Sequence, residues 1–446
     1  MKLYNTYTNR IEEFKPLKEG VVTIYYCGPT VYNYIHIGNA RPIITFDTLK
    51  KYLEHKGLKV IMASNFTDIN EKILKKSKEE GIDEMSVANK YIDAYLDDVR
   101  RLNADDSYIK PRVTETIPEI IDFVQKLIDN GSAYQKNGDV YYRVDSQPNY
   151  GKLSNRKVDE LIQGARVEVR EEKENGYDFA LWKDFREGIV YKSPWGIGRP
   201  GWHTECVVMI NKIFNGMIDI HGGGTDLIFP HHENEIAQNE SLYHNRIANF
   251  WMHNARVNFG NEKMSKSIGN VIWTKDLKCD PRAYRLLVLS FPYRNIIPYT
   301  DELQNQFVQE LNKIDTTYGR LFLHLDLNDL FDDSTKNDKY YELIQKFDEA
   351  NDNDLNTPNG LTVINEALKL VNQELRGTKD STTLLSLYNA LTEMLYVYGL
   401  NKPMSRLDSD TKKIYFDWMD ARGNKDFAKA DELRKVLTDK GVNLWF

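Results

Sequence analysis

The stretch from Val21 to Ala63 constrains the fold more than any other part of the chain. Val21-Val22-Thr23-Ile24-Tyr25-Tyr26-Cys27 is β-branched and aromatic throughout, which reads as a buried strand closed by Gly28-Pro29. A helix fits from about Asn39 to His55, because Ile43, Phe46, Leu49 and Leu53 recur on one helical face and Gly57 closes it. Lys59 to Ala63 then reads as a second strand. Strand, helix and strand at this spacing make a parallel crossover unit, whose connection is right-handed. Ligands of such sheets lie beyond the carboxyl ends of the strands, so Cys27 and the turn after it fall where chemistry is expected.

Two later strands fit the same sheet: Met217 to Ile220, expected to stop at Gly222-Gly223-Gly224, and Phe250 to Val257. Between the halves, residues 112–195 differ in character. They carry hairpin-like segments such as Asp139 to Val144 and a charged run, Glu168 to Glu174, that suits a solvated surface. This stretch reads as an insertion. Beyond about residue 300 the apolar pattern becomes helical: Leu311, Ile314, Tyr318, Leu321 and Leu325; then Leu361, Ile364, Leu368, Val371 and Leu375; then Leu384, Leu387, Leu391 and Leu395; and a last helix at Phe427 to Leu437. Each buries one stripe, so together they predict a bundle.

With 446 residues the chain has room for two to four domains. Hydrophobic residues at 41% and charged residues at 28% exclude wholesale disorder. Three cysteines (Cys27, Cys206 and Cys279) cannot form a disulfide framework, which points to a reducing compartment. The first ten residues lack an apolar core of the signal-peptide kind, and no apolar run nears the roughly 18 residues that span a bilayer. The expectation is a cytoplasmic enzyme without a membrane partner.

Three constellations carry chemistry. His36-Ile37-Gly38-Asn39 stands where the first helix begins. A helix N-terminus offers free N–H groups to phosphate, Gly38 lets a flat base approach, and His36 can donate to phosphate oxygens. The tetrapeptide equally fits a histidine satisfied beside a turn glycine. Lys263-Met264-Ser265-Lys266-Ser267, between Gly260 and Gly269, describes a cationic loop; Lys266 suits the charge developing on a leaving pyrophosphate. Alone, it also fits a solvated Lys/Ser loop. Third, Pro230-His231-His232-Glu233-Asn234-Glu235 reads as a helix start with Pro230 at the first position. His231 and Glu235, at i and i+4, share a face. With Cys27 and Cys206 they form a plausible zinc set of two thiolates, an imidazole and a carboxylate. Without a paired Cys-x-x-Cys the same residues also fit two structural cysteines beside a polar helix start, and His203, His221 and His232 compete as ligands.

The first two constellations together resemble the paired signature of class I aminoacyl-tRNA synthetases. Asn39 departs from the commonest form, which has a second histidine, but still donates a hydrogen bond. Tyr26 to Tyr32, Asn65 to Asn70, Gly201 to Cys206 and His221 to Glu235 further resemble the cysteinyl-tRNA synthetase family, nearly end to end. The resemblance implies a Rossmann-like parallel-sheet catalytic domain over 1–275, with the insertion at 112–195. It implies a stem-contact linker at 276–310 and an all-α helical-bundle anticodon-binding domain at 311–446. It implies one Zn2+ per chain on Cys27, Cys206, His231 and Glu235. It further implies a cysteine pocket of Gly28, Thr67, Trp202, His221 and Asp226, and catalysis and ATP binding by His36, Gly38, Asn39, Lys263 and Lys266, with Mg2+ accompanying ATP. The reaction implied is cysteine activation to cysteinyl-adenylate, then transfer to the 3′-terminal ribose of cysteine tRNA, by a monomer. Many relatives of this kind extend a short tail beyond the position of Trp445-Phe446.

Zinc answers a discrimination problem. A plain cavity separates isosteres such as cysteine and serine by only about 10–200-fold. A metal instead captures a soft thiolate, which serine cannot match. For RNA, residues 256–294 carry eight Lys/Arg against three Asp/Glu, and residues 401–446 carry ten against eight, although the whole chain is −7. Tyr415, Trp418 and Trp445 suit either base stacking or the bundle core. Other readings are a cysteine–amino-sugar ligase, which the long helical C-terminus disfavours; a zinc hydrolase built on His231-His232-Glu233, which leaves the lysine loop unexplained; and a non-catalytic RNA-binding protein, which the intact motifs disfavour.

Overall fold

The computed structural model describes residues 1–155, 173–260, 262–263, 271–332 and 334–444. Lys266 with residues 264–270 of its loop, most of the charged run at 168–174, and Trp445 lie outside them. The chain divides into two compact units, Met1–Lys278 with Tyr293–Tyr299, and Cys279–Pro292 with Thr300–Phe446.

The first unit is built on a four-stranded sheet in the order Ala248–Asn254, Ile218–Gly224, Val21–Tyr26, Lys59–Ala63. Every neighbouring pair is parallel. The helix Ile37–His55 connects the last two and buries Ile43, Phe46, Leu49 and Leu53, the stripe read from sequence. Burying such a side chain is worth about 1.5–3 kcal/mol. His221 lies in register between Tyr25 and Trp251, which aligns the carboxyl ends at Cys27, Gly224 and Asn254.

Two strands differ from their expected ends. The strand expected to stop at the glycines runs straight through them to Gly224. These glycines admit close neighbours: a Cβ on Gly222 would stand 2.1 Å from the Met252 carbonyl oxygen. The fourth strand ends at Asn254, not Val257. Ala255 instead donates to the Tyr293 carbonyl at 2.9 Å, and Val257–Phe259 joins a separate sheet between Glu262–Lys263 and Ile297–Tyr299. In the inserted stretch the helix Ile117–Asp129 precedes a five-stranded antiparallel sheet that runs on to Gly196–Pro200.

Asp98, on the helix Glu84–Arg101, is buried, and one of its carboxylate oxygens has no partner. Burial raises its pKa to about 6 although Arg101 lies 3.2 Å away. The folded value exceeds the unfolded one, about 3.9. The folded state therefore loses stability as pH rises from about 4 to about 6. Asp98→Asn is expected to gain about 2 kcal/mol at pH 8 and nothing at pH 4, checked by thermal unfolding at both.

The second unit is helical: Pro281–Leu289, Asp301–Leu327, Asp338–Asn351, Thr357–Arg376, Ser381–Val397, Ser409–Gly423 and Phe427–Asp439. The three apolar stripes read from sequence are buried, with Leu375 only half-buried. Trp418 is core rather than a stacking platform: it is 3% exposed, within a small cluster with Ala421, Ala430 and Leu437. No helix among the described residues is long and apolar enough to cross a membrane.

Candidate metal centre and nucleotide cavity

Four donors converge from three parts of the first unit. Cys27 follows the strand Val21–Tyr26 at its carboxyl end, and Cys206 lies on the helix Trp202–Phe214. The helix expected to open at Pro230 begins regularly only at Glu233. Ahead of it, Ile228–His232 form a wide turn interrupted by extended Phe229. His231 therefore sits in the turn and Glu235 in the first helical turn. Their donor atoms, with the two sulfurs, all lie within 4.8 Å of one another. Cys27 Sγ is 3.6 Å from Cys206 Sγ and 3.7 Å from Glu235 Oε1. His231 Nε2 is 3.6 Å from Cys206 Sγ and 2.9 Å from Glu235 Oε1. Donors around a tetrahedral zinc stand about 3.3 Å apart for N and O and about 3.5–3.8 Å where sulfur takes part, so these residues fit that ion.

The protonation pattern agrees. The hydrogen bond from Cys27 holds Cys206 down to about 6, against burial, with His231 assisting. Burial pushes the Cys27 thiol well up, and its neighbour Cys206 adds to that. For His231, burial opposes the charge, but Glu235 and Cys206 carry it up to about 10. Glu235 is held well below the usual carboxylate range by His221 and His231, against its burial. The centre thus keeps protons on Cys27 and His231 that a bound cation displaces.

Among the competing histidines, His221 and His232 make a second possible set with Cys27 and Glu235. His221 Nε2 is 2.5 Å from Glu235 Oε2, a closer approach than the 2.9 Å of His231 to Oε1. His221 Nδ1 is 3.0 Å from the Tyr25 carbonyl, which suits a residue that orients Glu235. His232 Nε2 lies 3.2 Å from Cys27 Sγ, and its Nδ1 starts a chain through His253 to Thr6. His203 stands behind His231, Nδ1 to Nδ1 at 3.1 Å. Glu233, the base a hydrolase would need, accepts the backbone N–H groups of Gly151 and Ser154 at 2.9 and 2.8 Å. It anchors a turn and is not free to act as a base.

A cavity of about 420 Å3 joins this centre to the start of the first helix. Cys27, Gly28 and Asp226 line it, and so do His36, Gly38 and Asn39. The helix starts at Ile37 rather than Asn39, so His36 is its cap. The Asn39 N–H donates to His36 Nδ1, and the His36 N–H donates to Asn39 Oδ1, both at 3.3 Å. Gly38 makes room for the imidazole, since a Cβ there would come within 2.9 Å of the ring. Thr67 donates to Glu205 at 2.7 Å, and Trp202 stacks on His231 with centroids 4.3 Å apart. Lys263 lies on the short strand paired with Asn258.

The sequence profile of the class I (C) tRNA synthetase catalytic domain matches residues 13–309, and that of the DALR domain matches residues 346–402. The cysteine–tRNA ligase of Oceanobacillus iheyensis is 44% identical over 457 aligned residues, covering 100% of this chain and 97% of that one. That of Finegoldia magna is 44% identical over 452, with the same shares. The chain belongs to the cysteinyl-tRNA synthetase family. Among solved structures, Mycobacterium tuberculosis methionyl-tRNA synthetase superposes with a TM-score of 0.61 at 14% identity, covering 84% of this chain and 90% of that one. A putative arginyl-tRNA synthetase from Campylobacter jejuni gives 0.56 at 14%, covering 87% and 93%. At such identity these likenesses carry the class I synthetase fold alone.

Asn254 of this synthetase lines the cavity but went unread in its sequence, and Arg256, which lines it too, was counted only in the basic stretch 256–294. Asn254 is 4% exposed and its Oδ1 has no partner, an acceptor free for a ligand donor. Extending the fourth strand to Val257 hid it; its place at a strand's carboxyl end was the available signal.

Proposed function

We infer that this chain is a cysteine–tRNA ligase acting in the cytoplasm as a monomer. It activates L-cysteine with ATP to cysteinyl-adenylate, releases pyrophosphate, and passes cysteine to the 3′-terminal ribose of cysteine tRNA. The observation that carries this reading is the shared cavity: Cys27 of the four-donor centre and His36 of the helix start face one space of about 420 Å3, room for an amino acid beside a nucleotide.

Cys27, Cys206, His231 and Glu235 would hold one Zn2+, which when bound supplies a soft acceptor for the substrate thiolate. Gly28 and Asp226 border the amino acid. Thr67, Trp202 and His221 support that end through Glu205, His231 and Glu235 respectively. His36, Gly38 and Asn39 present the helix N-terminus to ATP, which brings Mg2+. Lys263 and Lys266 neutralise the departing pyrophosphate. The cysteine carboxylate attacks the α-phosphate, so the chain's work is positioning and charge stabilisation. Residues 276–310 contact the tRNA stem and the helical bundle at 311–446 reads the anticodon.

ATP–pyrophosphate exchange should depend on cysteine and respond to serine at least a thousandfold less. Charging of cysteine tRNA should follow. Exchange driven equally by another amino acid would overturn the reading, and exchange without charging would indicate the amino-sugar ligase instead.

A further inference from the structure

Within the helical unit, the facing helices Asp301–Leu327 and Thr357–Arg376 enclose a groove of about 780 Å3. Lys313 and Arg320 line it from one helix, Lys369 and Arg376 from the other. Each pair is spaced i to i+7, two turns or roughly 10 Å along one face. Lys313 is bound to Glu310 at 2.6 Å, but among the described residues Arg320, Lys369 and Arg376 have no carboxylate partner. No acidic and no aromatic side chain lines the groove; the rest of its wall is amide and threonine, with Leu368 the single apolar member. Such a concentration of positive charge stands out in a chain whose net charge is −7.

We propose that this groove binds the ribose–phosphate backbone of the tRNA. The inference rests on the ligase reading and adds to it a contact that carries no base recognition. Unpaired cations facing each other across a groove attract a polyanion, and amide and hydroxyl groups between them suit phosphate oxygens and 2′-hydroxyls. Absent aromatics exclude base stacking as its role. An acidic protein segment would want apolar anchors, and Leu368 alone, at 6% exposed, offers none. The groove therefore positions RNA without reading its sequence.

The test is direct binding of a cysteine tRNA transcript, by anisotropy across salt concentrations, to the full chain and to Arg320→Gln/Lys369→Gln/Arg376→Gln. Each lost phosphate contact lowers the slope of log K against log salt by about one. The triple variant should bind at least tenfold more weakly at low salt, with a slope reduced by about two to three. Arg320→Lys/Arg376→Lys should stay within about threefold of the parent. Cysteine-dependent pyrophosphate exchange, which needs no tRNA, should be unchanged within twofold in all. Should the triple variant fold poorly, Lys369→Gln alone, at an exposed position, should still lower the slope by about one. Unchanged affinity and slope in folded variants overturn the groove proposal, and leave an acidic protein as its occupant. Loss of exchange in the parent chain would instead overturn the ligase reading, while the binding data still decide the groove.

Discussion

Cys206→Ala should strip the metal from the chain and lower kcat/KM for cysteine activation by about a thousandfold or more. Cys206 is one of only two sulfur donors in the set, and the hydrogen bond from Cys27 brings its thiol down to about 6, the more readily ionised of the two. Removing it leaves Cys27, which burial keeps protonated, beside an imidazole and a carboxylate that pair with each other at 2.9 Å. That remainder is a poor zinc site. Removing a residue that only orients a ligand typically costs 10–100-fold in metal affinity, so His221→Ala should produce a milder loss than Cys206→Ala. Selectivity should fall with the metal, and the preference for cysteine over serine should shrink toward the roughly 10–200-fold a shaped cavity supplies. Elemental analysis, exchange kinetics with both amino acids, and circular dichroism together decide the matter. A folded, metal-free variant that keeps full preference for cysteine would sink the account of selection by zinc.

What could be read from the sequence depended on whether the deciding interaction was local. Lys59–Ala63 was legible because a short β-branched run lies between Gly57 and Ser64. The three apolar stripes of the bundle were legible because each helix buries them at regular spacing. Glycines misled where contact across the sheet overrode local propensity: Gly222 to Gly224 look like a stop, yet at Gly222 the Met252 carbonyl of the neighbouring strand leaves no room for a Cβ. In the helical unit, besides Pro281–Leu289, two helices went unread, Asp338–Asn351 and Ser409–Gly423. The second buries only Thr411, Trp418 and Ala421, too thin a stripe to show among its charges. Convergence of the donor set was not legible from spacing at all. Cys27, Cys206 and the His231 turn meet only because parallel strand order brings the carboxyl ends together. The family resemblance named the set; by mutual distance alone His221 and His232 make a second possible set with Cys27 and Glu235. Asn39, read as a nucleotide contact, also closes the capping box on His36, a role visible only once the helix start is located.

Gly28→Ala should be among the most damaging single-methyl additions in the chain. A Cβ there would stand 1.7 Å from the Asn65 carbonyl oxygen and 2.9 Å from its carbon, with Ser64 Oγ at 3.0 Å. The obstacle is backbone, which cannot swing aside as a side-chain tip can. The segment Ser64–Thr67 must retreat, and it is bound on both sides. The Gly28 N–H donates to Asn65 Oδ1 at 2.9 Å, and Thr67 is tied to Glu205, the neighbour of Cys206. Cys27 is held from its other flank, its N–H bonded to the Gly222 carbonyl at 3.0 Å. Relief of the clash therefore shifts either Cys27 or the support of Cys206, and both are metal donors. Overpacking of this kind costs about 3 kcal/mol, and the unfolding temperature should drop by roughly 3–5 °C with a parallel fall in zinc content. Gly57→Ala provides the contrast. Gly57 has φ +80° with nothing within 4 Å of its Cβ position, so only left-handed backbone strain of about 1–2 kcal/mol is added there, far from the donors. It should lower the unfolding temperature by a smaller amount and leave the metal in place. Equal losses in the two variants, or full zinc retention by Gly28→Ala, would show that close approach of Asn65 does not hold the centre together.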